Sequence, residues 1–251
     1  MGIILLYRRH CLVFILSVFI SSCATTGAGK ITPEEILEID NLITANRYYP
    51  ALKLSGNVSI KDFLDGVGWA GTAASVAVLR PYSIRASFHS KVGWSWFFVV
   101  SNPDEIGLSI PGRGISELFP RKEDGSSGII KIGLFEINGD DFIRFVHPGL
   151  DREWVKGGNG RFSRGVLTVT YPDVEYLIRF DGKKRIEVVE IKRKNSSKLT
   201  VKYSYPEGAG TTLEGFGVNF NDLLKLDFTQ IVESESISDS IFELPPGLSQ
   251  E

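Results

Sequence analysis

The residues able to do chemistry are few in this chain, and their spacing rules out most reactions. Three histidines occur. His10 sits in the N-terminal apolar segment, and His89 and His147 stand alone, without a second ligand at metal-binding spacing. "DGSSG" (124–128) is one residue short of the G-x-S-x-G turn that exposes a nucleophilic serine. "GGNGRFSRG" (157–165) lacks the strand-then-helix setting of a dinucleotide loop. Asp140 and Asp141 have the look of charges at a helix start, where the exposed N–H groups attract negative charge. No catalytic residues, metal ligands or cofactor are therefore expected, and the chain is not read as an enzyme. One side chain does stand in a suggestive place: Cys23, directly after the longest apolar run.

Arg8 and Arg9 precede an apolar stretch, Cys11 to Ile20. About ten residues suit the core of an export signal and fall short of the ~20 that a spanning helix needs. His10-Cys11-Leu12 after the arginine pair fit a twin-arginine signal poorly, so the pair serves as plain positive charge. Ile20-Ser21-Ser22-Cys23 resembles a bacterial lipobox, which implies cleavage before Cys23 and lipidation of its sulfur. The other readings are an ordinary secretory signal with a bystander cysteine, or an uncleaved membrane anchor. One acyl chain holds a protein marginally and two or more hold it stably, at about 0.8 kcal/mol per buried CH2. A lipidated Cys23 leaves no thiol for a disulfide, because Cys11 departs with residues 1–22. In Gram-negative lipoproteins an Asp after the cysteine marks inner-membrane retention. Ala24 stands there, so resemblance to that rule points to the periplasmic face of the outer membrane.

The remainder must form a body that the tether 23–31 holds near a bilayer. Its 251 residues, 43% hydrophobic and 23% charged, are a globular composition. One domain, 32–251, is the default for an all-β chain of this length. Twenty-six glycines, 16 Phe and a single Met favour sheet over helix bundle. The net charge of −2 implies no nucleic-acid partner. Thr32-Pro33-x-Glu35 signals a helix start, and Ile36, Ile39, Leu42 and Ile43 fall on one face of that helix. From Ala51 the period becomes two. Strands are expected at 72–81, 82–90, 94–101, 105–112, 166–171, 174–180, 184–193, 198–205, 211–220 and 223–232. Asp181-Gly182 and, more weakly, Asn221-Asp222 are hairpin turns. Residues 112–132 and 149–165 read as loops, and 133–147 as a short apolar helix. About eleven antiparallel strands with one dry face must cover that face, by curling and by plugging the hollow with a helix.

This layout is similar to the LolA/LolB-like lipoprotein-localisation family, and most closely to its outer-membrane receptor. "LRPYSIRASFHSKVGWSWFFVVSN" resembles the receptor's strand, apolar-Gly tip and strand. "GLFEINGDDFIRFVHPG" resembles the lid segment, and "SIFELPPG" the C-terminal end of such domains. The resemblance covers most of residues 33–247, with longer loops at 112–132 and 149–165. It implies an unclosed β-barrel with helices as a lid over an apolar cavity. It also implies acceptance of acylated lipoproteins from a LolA-like periplasmic carrier and their insertion into membrane lipid, by a monomer. Val92-Gly93-Trp94 then matches the tip that enters the membrane; the other reading packs Val92 and Trp94 on a neighbouring strand. Trp69 is a second candidate tip. Ile84, Phe88, Trp96, Phe98, Phe142, Ile143 and Phe145 are candidates to line the acyl cavity, each also readable as ordinary core. Arg80 and Arg85 either hydrogen-bond lid carbonyls or face solvent. The basic run 192–198 reads as a solvated hairpin end; the other reading is a docking site for an acidic carrier or anionic lipid heads. A lipid or glycolipid carrier, and a non-catalytic structural lipoprotein, are the alternative functions on the same fold.

Overall fold

The computed structural model describes residues 32–63, 67–89, 95–110, 115–120, 129–132, 135–194, 198–209 and 212–244. Helix α1 (Pro33–Ala45) opens with a capping box. The Thr32 side chain accepts from the Glu35 N–H, and Glu35 accepts from the Thr32 N–H. Two otherwise orphan donors are satisfied by the residues the sequence singled out. The helix buries only its second half: Ile39 and Leu42 are covered, whereas Ile36 is 51% exposed. Its C-terminus is tied to the sheet through Asn46. The Asn46 amide donates to the Leu42 and Lys184 carbonyls and accepts from the Ile186 N–H.

Thirteen strands then form one antiparallel sheet. The first wing is β1 (Ala51–Phe63), β2 (Val67–Leu79), β3 (Ser83–His89), β4 (Ser95–Ser101), β5 (Glu105–Ile110) and β6 (Ile115–Pro120). A separate hairpin, β7 (Ile129–Ile132) and β8 (Phe135–Asn138), leads into helix α2 (Gly139–Phe145) and then α3 (Arg152–Gly157). The second wing is β9 (Arg161–Ser163), β10 (Val166–Thr170), β11 (Val174–Phe180), β12 (Ile186–Arg193), β13 (Leu199–Ser204), β14 (Phe216–Phe220) and β15 (Leu224–Glu233). The spatial order runs β6 through β1, then β15 back to β9, so β6 and β9 are the two edges. The sheet is unclosed, as expected. It holds two more strands than the eleven anticipated, because β6 falls in the supposed 112–132 loop and β9 in the supposed 149–165 loop. The separate hairpin puts β7 in the first of these loops and β8 in the supposed 133–147 helix, which is confined to Gly139–Phe145.

Sequence neighbours pair as hairpins everywhere except at the seam between β1 and β15, where Leu52 faces Glu233 and Ile60 faces Leu224. Among the second wing's turns Asn221-Asp222 takes the conformation its residues favour, whereas in the β11–β12 turn positive φ falls on Lys184, at 61°, rather than on Gly182. Asn221 and Asp222 both take positive φ, at 51° and 58°, the geometry of a tight hairpin turn. Asp181 accepts from the Lys183 and Arg185 N–H groups and the Arg185 guanidinium, which closes the β11–β12 turn.

Registration carries one apolar stripe across the whole sheet. Ile106, Val99, Ala86, Val76, Leu54, Leu226, Val218, Val201, Val189, Ile178 and Leu167 are all buried, and paired residues share a face. The stripe belongs to a single contiguous cluster that also includes residues of the three helices. On the outer face the β1–β3 region is covered separately. The segment Asp239–Phe242 lies there with Ile237, and Arg85 donates to the Ile241 carbonyl.

The register slips by one residue on β15 opposite Ser55 and Gly56, which bends the seam. At that bulge the backbones touch: a Cβ on Gly56 would lie 2.0 Å from the Asp227 carbonyl oxygen and 2.7 Å from the Phe228 Cα. Neither atom belongs to a side chain that could swing away. Gly56→Ala is expected to lower the unfolding free energy by about 3 kcal/mol, the upper end of ordinary overpacking. Urea denaturation checks this as a fall in midpoint at constant slope.

Candidate functional site

The site begins with α2, which lies over the sheet's apolar face. Asn138 caps it by accepting from the Asp140 and Asp141 N–H groups. Phe142, Ile143 and Phe145 then point into the interior at 3%, 1% and 1% exposure. Phe142 meets Phe220 of β14 with ring centroids 5.5 Å apart, and Phe145 meets Tyr176 of β11 at 5.7 Å. Trp154 of α3 closes the same group, edge-on to Tyr176 at 5.1 Å.

A helix of seven residues cannot hold itself in water. Polar ties from the sheet fix it at both ends. At its start, buried Asp141 accepts from the Tyr176 hydroxyl at 2.9 Å and from the Arg193 guanidinium at 2.6 and 3.2 Å. Burial pushes the Asp141 carboxyl up from its ordinary value, and Arg193 opposes that shift. At its end, three carbonyls that the helix leaves unpaired are met by side chains. Tyr203 donates to the Phe145 carbonyl at 2.7 Å. Arg80 donates to the His147 and Arg144 carbonyls at 3.2 and 3.4 Å.

Arg80 continues the inward alternation of β2 past Val76 and Val78, so its guanidinium enters the interior. It is only 8% exposed, and its Nε and Nη1 have no hydrogen-bond partner. The Tyr48 ring lies under it at 4.7 Å. Burial lowers the Arg80 pKa to about 10, with Tyr48 and Tyr203 opposing. His147 beside it is fully buried, and among the described residues neither ring nitrogen has a partner. Tyr49 and Phe216 stand edge-on to the imidazole at 5.4 and 5.1 Å. Burial first, and Arg80 second, hold His147 well below its ordinary pKa.

Of the residues marked as candidate cavity lining, Ile84, Phe88, Phe142, Ile143 and Phe145 lie together in the interior cluster. Phe98 does not share their face. Phe88 pairs with Phe97, ring centroids 4.1 Å apart, while Phe98 pairs with Ser87 on the opposite side. The register shifts between Phe88 and His89, which defeats a simple alternation through Trp94, Trp96 and Phe98. The Trp96 side chain, and all of Cys23, Val92, Gly93 and Trp94, lie outside the described residues. Trp69 belongs to β2 rather than to a turn.

Site residues missed in the sequence include Tyr176, Tyr203 and His147 as well as three in segments read otherwise. Arg193 sits in the run read as a solvated hairpin end, and Asp141 looked like a helix-start charge; together they form an ion pair whose acid is buried and whose guanidinium is partly exposed. Trp154 lies in a segment read as loop, although Asp151 followed by Glu153 is a helix-start pattern. Among the described residues no group of three or more His, Cys, Asp or Glu could hold a metal ion.

No known family model matches this chain. No curated protein matches it either. Two solved structures are similar in layout. One is a domain assigned as an outer membrane lipoprotein-sorting protein of Vibrio parahaemolyticus, 11% identical, with a TM-score of 0.48 over 83% of this chain and 96% of that one. The other is a LolA superfamily protein of Nitrosomonas europaea, also 11% identical, with a TM-score of 0.46 over 84% and 98%.

The environment of His147 has a measurable consequence. Its folded pKa is depressed, so its share of stability is complete above the unfolded value of about 6.5. That share is lost as pH falls below 6.5, because the unfolded chain takes up a proton that the folded one refuses. Between pH 6.5 and 5 the unfolding free energy is expected to drop with a slope approaching 1.4 kcal/mol per pH unit from this group. In His147→Phe that slope disappears, which denaturant titrations at several pH values read directly.

Proposed function

We propose that this protein is a lipid-anchored receptor of the outer membrane. It accepts acylated lipoproteins from a LolA-like periplasmic carrier and passes them to membrane lipid. The observation that carries the reading is the pairing of a continuous apolar inner face with a short helix whose polar ties come from side chains of the sheet. Such a cover is detachable. Breaking the bonds from Arg80, Tyr203, Tyr176 and Arg193 frees α2 without breaking a strand ladder, and an acyl chain supplies the apolar contacts that Phe142, Ile143 and Phe145 give up.

Transfer on these terms needs no nucleotide. Each step moves a fatty chain between apolar surroundings of similar quality, so its free-energy change is small and the final bilayer sets the direction. Lipidation of Cys23 would keep the body within reach of that bilayer. The Val92-Gly93-Trp94 segment would then be the part that dips into lipid, since an indole favours the membrane interface. His89 and Ser95, which flank it, lie at the end of the sheet opposite Arg80.

Three measurements test the proposal. Cys23→Ser is expected to lose acyl mass and to leave the membrane fraction while remaining folded; unchanged membrane association of that variant counts against the anchor. The same soluble form, mixed with a carrier loaded with a lipoprotein, should strip the lipoprotein from it. Retention of free lipid only would instead favour a lipid carrier in envelope assembly, and binding of neither would leave a structural lipoprotein. In the anchored protein, Val92→Glu should leave acceptance intact and reduce delivery into vesicles at least tenfold. Normal delivery by that variant removes the role of the tip.

A further inference from the structure

The interior is apolar almost throughout, yet it contains a cation with no anion beside it. Arg80 reaches inward from the end of β2. One of its terminal nitrogens is used on the two carbonyls of α2, and Nε and Nη1 are left without partners. Among the described residues no carboxylate forms an ion pair with it. Asp151, the acid that most affects it, is already the cap of α3, accepting from the Glu153 N–H. A second buried group with hydrogen-bonding capacity left over, the His147 imidazole, follows on the same helix end. On the third side Gly149 packs directly against the guanidinium: a Cβ there would lie 3.2 Å from the Arg80 Nη1 and 3.1 Å from the Arg47 carbonyl oxygen.

Buried charges are retained when they are paired, and buried donors when they are hydrogen-bonded. Two carbonyls and the Tyr48 ring supply partial negative charge only. What the arrangement lacks is an oxygen that carries a formal charge, small enough to sit between a guanidinium and an imidazole. A neutral imidazole donates through one nitrogen, and a guanidinium binds carboxylate or phosphate oxygen with strong, directed bonds. The surroundings that such a ligand would share, Val78, Ile84, Val146 and Phe216, are apolar and covered. At this end of the sheet Arg80 also borders an open depression of about 400 Å3, shared with Leu79, Pro81, Tyr82 and, from the outer cover, Asp239 and Phe242.

We propose that Arg80 and His147 form a recognition site for the anionic head of an acyl lipid, a carboxylate or a phosphate, with its chain laid along the inner face. The proposal rests on the reading of the interior as an acyl-chain site, and it adds that the site distinguishes charged from neutral lipids. The ligand bridges the end of α2 to β2, so head-group binding and the seating of the helix act on the same guanidinium.

The test uses the full chain with Cys23→Ser, titrated with palmitate, with hexadecanol and with a palmitoyl lysophosphatidylglycerol. The chain length is constant and only the head differs. An anionic probe should bind at least about tenfold more tightly than hexadecanol, a difference usual for a charge-assisted hydrogen bond. Palmitate ahead of the lysophospholipid identifies a fatty-acid carboxylate; the reverse identifies a phosphate head. Arg80→Gln should bring the ratio of acid to alcohol near one. His147→Phe, which leaves the backbone carbonyl and the fold of α2 in place, should reduce it severalfold and serves if the arginine variant does not fold. Equal binding of palmitate and hexadecanol by the parent protein overturns the head-group site and leaves the acyl cavity standing. Binding of none of the three probes overturns both.

Discussion

A single sheet of thirteen strands with one apolar face, and no closure between its edges, cannot be stable alone. The stripe from Ile106 on the first wing to Leu167 on the second must be kept from water by something other than another strand. Curvature at the β1–β15 bulge brings the wings round, and the three helices supply the cover. The placement of nearly every chemically interesting residue follows from this. Arg80, Asp141, Tyr176 and Tyr203 are buried because they join cover to sheet, and Arg80 and Tyr203 meet backbone carbonyls exposed at the cover's end.

The two buried charges on this boundary are arranged with the helix rather than against it. An acid stands at the start of α2, where N–H groups are exposed, and a cation at its end, where carbonyls are exposed. Their accounts differ in one respect. Asp141 has a full counter-ion in Arg193, which is itself partly open to solvent. Arg80 has carbonyls and an aromatic ring. One end of the cover is thus neutralised within the chain, and the other carries unbalanced positive charge into an apolar interior.

Most of the second wing was legible in the sequence, except β9 and the first half of the expected strand 211–220, where Thr212–Glu214 form a 3-10 turn and the strand starts at Phe216. Its strands alternate cleanly, as in Leu199-Thr200-Val201-Lys202-Tyr203, and its turns carry Asp-Gly and Asn-Asp pairs. The capping box of α1 was equally plain, and the inward set Ile84, Ala86 and Phe88 followed from period two. Failures came where local pattern and tertiary setting part. The pairing of Phe88 with Phe97 and of Ala86 with Val99 puts Phe97, not Phe98, inside, although both are apolar. Short strands such as β9, three residues long, owe their conformation to a neighbour and leave little trace in composition. The ion pair of Asp141 and Arg193 joins residues 52 apart, and the register of β12 against the helix start sets that distance. For Arg80 both environments were open in the sequence, lid carbonyl or solvent, and its inward parity on β2 decides between them.

The seam between β1 and β15 gives the fold its sense of time. Leu52 meets Glu233 there, so the first strand of the sheet waits for the last before it has two neighbours. A chain that emerges from its N-terminus holds two half-built sheets in the interval, each with a greasy side and an unpaired margin. Pairings this distant in sequence form slowly. The molecule is therefore at its most adhesive just before it becomes whole, and a companion that shelters nascent chains would matter most at that moment.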